Sequence, residues 1–220
     1  MNLSPRTNVG MPRMKSHAAR ASLRSTPRVL SIAGTDPTGG AGIQADLKSI
    51  AANGGYGMAV VTALVAQNTR GVRSVHTPPV EFLREQLDAV SDDVVIDAVK
   101  IGMLADVDVI REVRSWLEAI RPPLVVLDPV MVATSGDRLL ESSAEQALRD
   151  LVSLADLVTP NIPELAVLLQ EPTACSWLEA VEQGKRQYRS VSVDSAIRAF
   201  AVVLNSVHRA CLLRGWCRRS

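Results

Sequence analysis

Between residues 28 and 169 apolar positions follow two alternating rhythms, short unbroken runs and longer stretches in which they return every three or four residues. Unbroken runs at 29–33, 58–66, 97–101, 124–127 and 156–158 predict strands, the run at 58–66 being long and rich in Val. Helical spacing predicts helices over 41–53, 81–91, 106–120, 142–151 and 163–169. In the second of these, Phe82, Leu83, Leu87 and Val90 form one apolar face. Continuous apolar strands separated by amphipathic helices imply an α/β fold, a parallel sheet with helices on both faces. In such sheets ligands bind beyond the carboxyl ends of the strands, so polar residues just after a strand are the first candidates for chemistry.

The first strand runs directly into Gly34-Thr35-Asp36-Pro37-Thr38-Gly39-Gly40-Ala41-Gly42 and then into a helix. Glycines let backbone N–H groups approach a ligand closely, and the helix N-terminus adds partial positive charge, which predicts a ligand-binding turn. The loop matches neither the P-loop pattern nor G-x-G-x-x-G spacing. A tight strand-to-helix turn with glycines for packing is the other reading of the same residues.

Composition narrows the class. The chain has 220 residues, 47% hydrophobic and 3% aromatic, which suits one domain with an Ala/Val/Leu-rich core. Its net charge of +1 conceals an uneven distribution: residues 1–27 and 189–220 each carry +5, leaving −9 for the middle. An acidic middle argues against nucleic acid or an anionic membrane as partner. It would also repel a nucleotide triphosphate unless Mg²⁺ and N–H donors offset the charge. Cys175, Cys211 and Cys217 show neither a disulfide framework nor zinc spacing, so a reducing cytoplasm is the expected location. His17, His76 and His208 are scattered and read as surface residues. Residues 1–27, basic and without an apolar signal core, read as a disordered extension.

The Gly-rich segment, followed in order by Thr62-Ala63-Leu64-Val65-Ala66-Gln67-Asn68-Thr69, Lys100-Ile101-Gly102-Met103-Leu104, Val126-Leu127-Asp128-Pro129-Val130-Met131 and Thr159-Pro160-Asn161-Ile162-Pro163-Glu164, closely resembles the hydroxymethylpyrimidine and phosphomethylpyrimidine kinases of thiamine biosynthesis. These are ribokinase-like enzymes, and the resemblance runs from about residue 28 to about residue 184. It implies ATP-dependent phosphorylation of 4-amino-5-hydroxymethyl-2-methylpyrimidine and its monophosphate, with Mg²⁺ as cofactor and a homodimer as an allowed assembly. It further implies that Gln67, Asp46 and Gly34 meet the pyrimidine, with Met103 and Val130 as apolar walls. Asp128 and Glu164 would hold the metal, and Asn161 with Glu164 would serve the phosphates. Pyridoxal kinase is the nearest alternative within the class.

Each of these positions has a plainer reading in its own chemistry. Gln67 also suits a polar turn, Asp46 the positive end of a helix, and Asp128 an Asp-Pro turn. Asn161 and Glu164 have the spacing of a capping box, with Pro163 in the first helical turn. Met103 and Val130 equally fit an ordinary core.

The chain departs from the pattern after residue 184. The family continues with a Lys-Gly-Gly-His segment and then Gly-Thr-Gly-Cys or Gly-Ala-Gly-Asp, which supplies an anion hole and the base; neither occurs in this sequence. The expected organisation is therefore a basic extension (1–27), a partial ribokinase-like kinase domain (28–188) and a divergent tail (189–220), with the C-terminal part of the fold incomplete and no catalytic base identified. A non-catalytic pyrimidine-binding protein is the reading from a different functional class.

Overall fold

The computed structural model describes residues 26–131, 140 and 142–187. The basic extension up to residue 25, the tail 189–220, His17, His208, Cys211 and Cys217 lie outside the described residues.

Strand β1 (Arg28–Ala33) leads through the Gly-rich loop into α1 (Gly42–Ala52), and the chain returns as β2 (Tyr56–Val61). A hairpin of β3 (Leu64–Asn68) and β4 (Gly71–His76) follows, then α2 (Val80–Ser91), β5 (Ala98–Ile101), α3 (Val107–Ile120) and β6 (Val125–Leu127). A short 3-10 turn at Ser142–Ala144 precedes α4 (Glu145–Val152), β7 (Leu157–Val158), α5 (Ile162–Leu169) and α6 (Trp177–Gln187). Five strands form one parallel sheet in the order β2-β1-β5-β6-β7. The chain builds outward from β1 to β2, then crosses back to build the other side from β5. A crevice therefore opens between the carboxyl ends of β1 and β5, where the order reverses.

Register sorts the two faces. Leu30, Val99 and Val125 are aligned across neighbouring strands, as are Ile32, Ile101 and Leu127. These six are buried together with Leu83, Leu87, Ile110, Val113, Trp116, Leu148 and Leu151 from α2, α3 and α4, in the main core. On the opposite face Ser31, Lys100 and Val126 are aligned. Helix α1 packs there over β1 and β2, with Leu47 against Gly57. Each helix has a local reason to start where it does: Asp106 caps α3 by accepting from Asp108 and Val109 N–H, and Asn161 with Glu164 closes a full capping box on α5.

Three sequence expectations need correction. The single run 58–66 is two strands, β2 in the parallel sheet and β3 in a separate antiparallel pair with β4. The break is made by tertiary bonds: buried Thr62 donates to Met103 O at 2.6 Å, Thr35 N–H donates to Ala63 O at 2.9 Å, and Val65 N–H donates to Thr35 Oγ1 at 2.9 Å. Periodicity cannot register such a turn because every side chain through it stays apolar or small. Phe82, expected on the apolar face of α2, is 52% exposed; Leu83 and Leu87 alone are fully buried there. The set of elements is also short by two, since apolar spacing predicts neither strand β4 nor helix α6.

Candidate functional site

The Gly-rich loop is organised from inside by an acid. Asp36, only 3% exposed, accepts from Thr38 N–H (2.9 Å), Thr38 Oγ1 (2.9 Å), Gly40 N–H (3.0 Å) and Ala41 N–H (2.8 Å). Its own N–H donates to Gln44 Oε1 at 2.8 Å, which ties the loop to α1. Burial pushes the Asp36 carboxyl up, but the Gln67 amide beside it and the Thr38 and Ala41 donors outweigh this and hold it below the usual carboxylate range. The N–H groups expected to face a ligand at Gly40 and Ala41 are thus already paired within the loop. Gly42 closes the turn with a φ of +57°, and a Cβ there would lie 2.4 Å from Gly34 O. Ile43 N–H donates to that same oxygen at 3.0 Å, so backbone approach makes glycine obligatory at 42. Lys48 donates to Gly39 O across the outside of the loop.

Four of the five residues expected at the pyrimidine converge at the crevice. A Cβ on Gly34 would meet Met103 Sδ at 3.1 Å and Val65 Cγ2 at 3.6 Å, so the loop's first residue is pressed against the segment after β5. Met103 belongs to a small apolar cluster with Ala63, Val65 and Ala105, and Val130 packs on its edge. Gln67 lies on β3 where the hairpin register shifts between Ala66 and Gln67, an irregularity of the kind that re-aims a side chain. Its amide is brought to Asp36.

The fifth, Asp46 on α1, sits over the polar face of the sheet. Its Oδ2 accepts from Ser31 Oγ at 2.7 Å and from Lys100 Nζ at 3.0 Å. Asp128 follows β6, its N–H donating to Ile101 O at 2.8 Å. Burial pushes the Asp128 carboxyl up, Lys100 opposes that shift and Asp46 adds to it, so the three charges share one environment.

Glu164 is 6% exposed and closes the capping box: its Oε2 accepts from Asn161 N–H at 2.9 Å, and Asn161 Oδ1 accepts from Glu164 N–H at 2.9 Å. Its Oε1 accepts from Met131 N–H at 3.4 Å, linking α5 to the segment after β6. Burial pushes Glu164 up to about 7, and the charge of Asp128 adds to the shift. The capping-box reading of Asn161 and Glu164 is seen directly, and the cap lies beside a second acid, Asp128. Among the described residues no group of three or more metal-ligating side chains occurs. A buried Glu164 and a partly buried Asp128, whose charges repel, are nevertheless a donor set that fits Mg²⁺, which takes one or two carboxylates and keeps several waters.

Sequence reasoning missed Asp36, Ser31 and Lys100. Asp36 left a signal in Asp-Pro-Thr-Gly, an Asx-type turn. Lys100 left one too, a lone charge inside the apolar strand Ala-Val-Lys-Ile, which demands a partner. Elsewhere, His76 ends β4 on an exposed position, Cys175 is a free exposed thiol, and among the described residues no helix is long and apolar enough to cross a membrane.

Comparison with known proteins agrees with this fold. Residues 36–200 match the family described as phosphomethylpyrimidine kinase. Over 157 residues the chain is 54% identical to the hydroxymethylpyrimidine/phosphomethylpyrimidine kinase of Escherichia coli, covering 71% of this chain and 59% of that protein. It is 59% identical over 182 residues to a thiamine biosynthesis multifunctional protein of Corynebacterium glutamicum, covering 83% of this chain and 24% of the relative. Among solved structures, phosphomethylpyrimidine kinase from Clostridium difficile superposes with a TM-score of 0.66 at 41% identity, over 74% of this chain and 68% of that one. An ADP complex of Bacillus subtilis pyridoxal kinase superposes with a TM-score of 0.68 at 34% identity, over 74% and 62%. The chain thus spans between a quarter and three fifths of the length of these two curated relatives. With the α/β sheet, the crevice at its switch point and the matched motifs in agreement, the chain belongs to the phosphomethylpyrimidine kinase family.

Proposed function

We propose that this chain binds 4-amino-5-hydroxymethyl-2-methylpyrimidine at the crevice between β1 and β5, and that the protein it represents phosphorylates that pyrimidine and its monophosphate with ATP and Mg²⁺. The observation that carries the reading is the convergence of Gly34, Gln67, Met103 and Val130, from four separated segments, on one apolar and amide-bearing surface beside Asp36. Met103 and Val130 offer apolar walls to a planar ring, and the Gln67 amide offers donor and acceptor atoms to its aminopyrimidine edge. Asp46 accepts from a ligand N–H or O–H. Asp128 and Glu164 hold Mg²⁺, which supplies charge neutralisation for the phosphates, and the Asn161 side-chain amide lies at the same end of the sheet to meet a phosphate oxygen. Phosphoryl transfer asks the protein chiefly for positioning and charge stabilisation, and these residues provide both.

Titration calorimetry tests the assignment. Gln67→Ala should weaken pyrimidine binding about tenfold to a hundredfold, the worth of a lost polar contact, while ADP binding stays unchanged. Equal loss of both ligands would overturn the role of Gln67. Pyridoxal binding tighter than the pyrimidine would move the chain to the pyridoxal kinase branch, towards which the Bacillus subtilis likeness points. The sequence holds neither the Lys-Gly-Gly-His nor the Gly-rich base motif, which favours binding without turnover as the second reading. ATP-dependent product from the pure chain would exclude that reading.

A further inference from the structure

We propose that Lys100 is a positioning residue for ligand recognition: with Ser31 it occupies one oxygen of Asp46, leaving the other as a fixed acceptor for an N–H or O–H donor of the ligand. Three elements build this arrangement. Ser31 on β1 and Lys100 on β5 are register partners on the same sheet face, and Asp46 reaches them from α1. Ser31 is completely buried, and its hydroxyl donates to Oδ2 of Asp46 at 2.7 Å. The Lys100 ammonium donates to the same Oδ2 at 3.0 Å. Among the described residues no donor reaches Oδ1. Two donors on one oxygen fix the plane of the carboxylate, and they commit its remaining lone pairs to whatever approaches from outside.

The surroundings argue against a merely structural ion pair. Apolar side chains of similar volume would cost the fold less than a partly buried lysine and aspartate. One ammonium here also faces two acids, because the field of Lys100 reaches Asp128 as well as Asp46. The sheet makes room for it: a Cβ at Gly102 would come 3.0 Å from Lys100 Nζ and 3.0 Å from Ala33 Cβ. A lysine head given space, a hydroxyl partner and a single carboxylate oxygen orients that carboxylate for a ligand.

This role rests on the pyrimidine-binding reading, and a double-mutant cycle on the full chain separates the two. Calorimetry with 4-amino-5-hydroxymethyl-2-methylpyrimidine is run on the native chain, Lys100→Met, Asp46→Asn and the double variant, with thermal unfolding of each. Lys100→Met is expected to weaken binding about tenfold to a hundredfold. In the Asp46→Asn background the same change should cost almost nothing, because Lys100 acts through Asp46. Lys100→Gln, which keeps one donor, should recover part of the affinity and carries the cycle should the methionine variant unfold. Unchanged affinity in either Lys100 variant, or losses that add in the double variant, would overturn the role of Lys100 alone. A native chain that does not bind the pyrimidine overturns the functional reading, and this inference with it.

Discussion

The two faces of the central sheet are made from the same strands and do opposite work. In β5, Val99 and Ile101 enter the core under α2 and α3, while Lys100 between them reaches Asp46 on the other side. In β1, Leu30 and Ile32 are buried against the same helices, while Ser31 donates to that aspartate. One face therefore holds the apolar surface that stabilises the domain, and the other holds a hydroxyl and an ion pair that stabilise it less than apolar side chains of similar volume would. Strand alternation lets one segment of four residues serve both ends without compromise.

Breaking the apolar face should produce the largest effect. Trp116 on α3, fully buried, donates its indole N–H to Ser91 Oγ of α2 at 3.3 Å. Trp116→Ala is expected to cost about 3–5 kcal/mol, read by urea denaturation, and to unfold the chain at moderate temperature. An equal loss from Lys100→Met would erase the contrast between the faces.

The polar face should respond to pH. The folded carboxyl of Glu164 is raised to about 7, so between the ordinary value and about 7 the folded chain holds a proton that the unfolded chain has released. Stability is then highest at or below the ordinary glutamate value and falls as pH rises through about 7, on the order of 3 kcal/mol in the absence of a divalent cation. Millimolar Mg²⁺ should offset that loss at pH 7 and above, where the deprotonated Asp128 and Glu164 hold it. Thermal unfolding across pH 5–8 with and without Mg²⁺ checks both statements, and a flat profile without metal would refute the first.

The loop gives the next effect. Asp36→Ala removes the acceptor of four donors and should cost about 1–3 kcal/mol together with pyrimidine affinity. Because its folded carboxyl is depressed, the native contribution is present above the ordinary carboxylate range and is lost as pH falls through the folded value. Acid titration of native and variant chains should therefore converge at low pH. The smallest effect sharpens the comparison from outside it: Phe82→Ser, on the exposed side of α2, should change stability by no more than about 0.5 kcal/mol.

Much of this was legible in order along the chain. Strands β1, β5, β6 and β7 and helices α1 to α5 fall within a few residues of where periodicity put them. Their period, 2 or 3.6, is a local property of each segment. Of the residues expected at the ring, Gly34, Met103 and Val130 lie close together because each follows a strand of the parallel sheet, whereas Gln67 comes from β3 of the antiparallel hairpin and Asp46 stands on α1. What periodicity could not carry were the places where a distant group decides. Thr62 turns the chain out of the sheet because Met103 O waits 41 residues away, and Phe82 lies outside the core although it sits beside Leu83.

By itself, the sequence determined the class of fold and the order of most of its elements, because apolar spacing is a local fact; the strand order that opens a crevice between β1 and β5 is tertiary. Only the tertiary structure decided which oxygen of Asp46 is occupied, which N–H groups the Asp36 carboxylate consumes, and that Asp128 and Glu164 share a field. The Asp36 bonds are local to the loop, but the meeting of Ser31 and Lys100 at Asp46 depends on strand register across the sheet, where a shift of one residue would exchange the charged face for the apolar one.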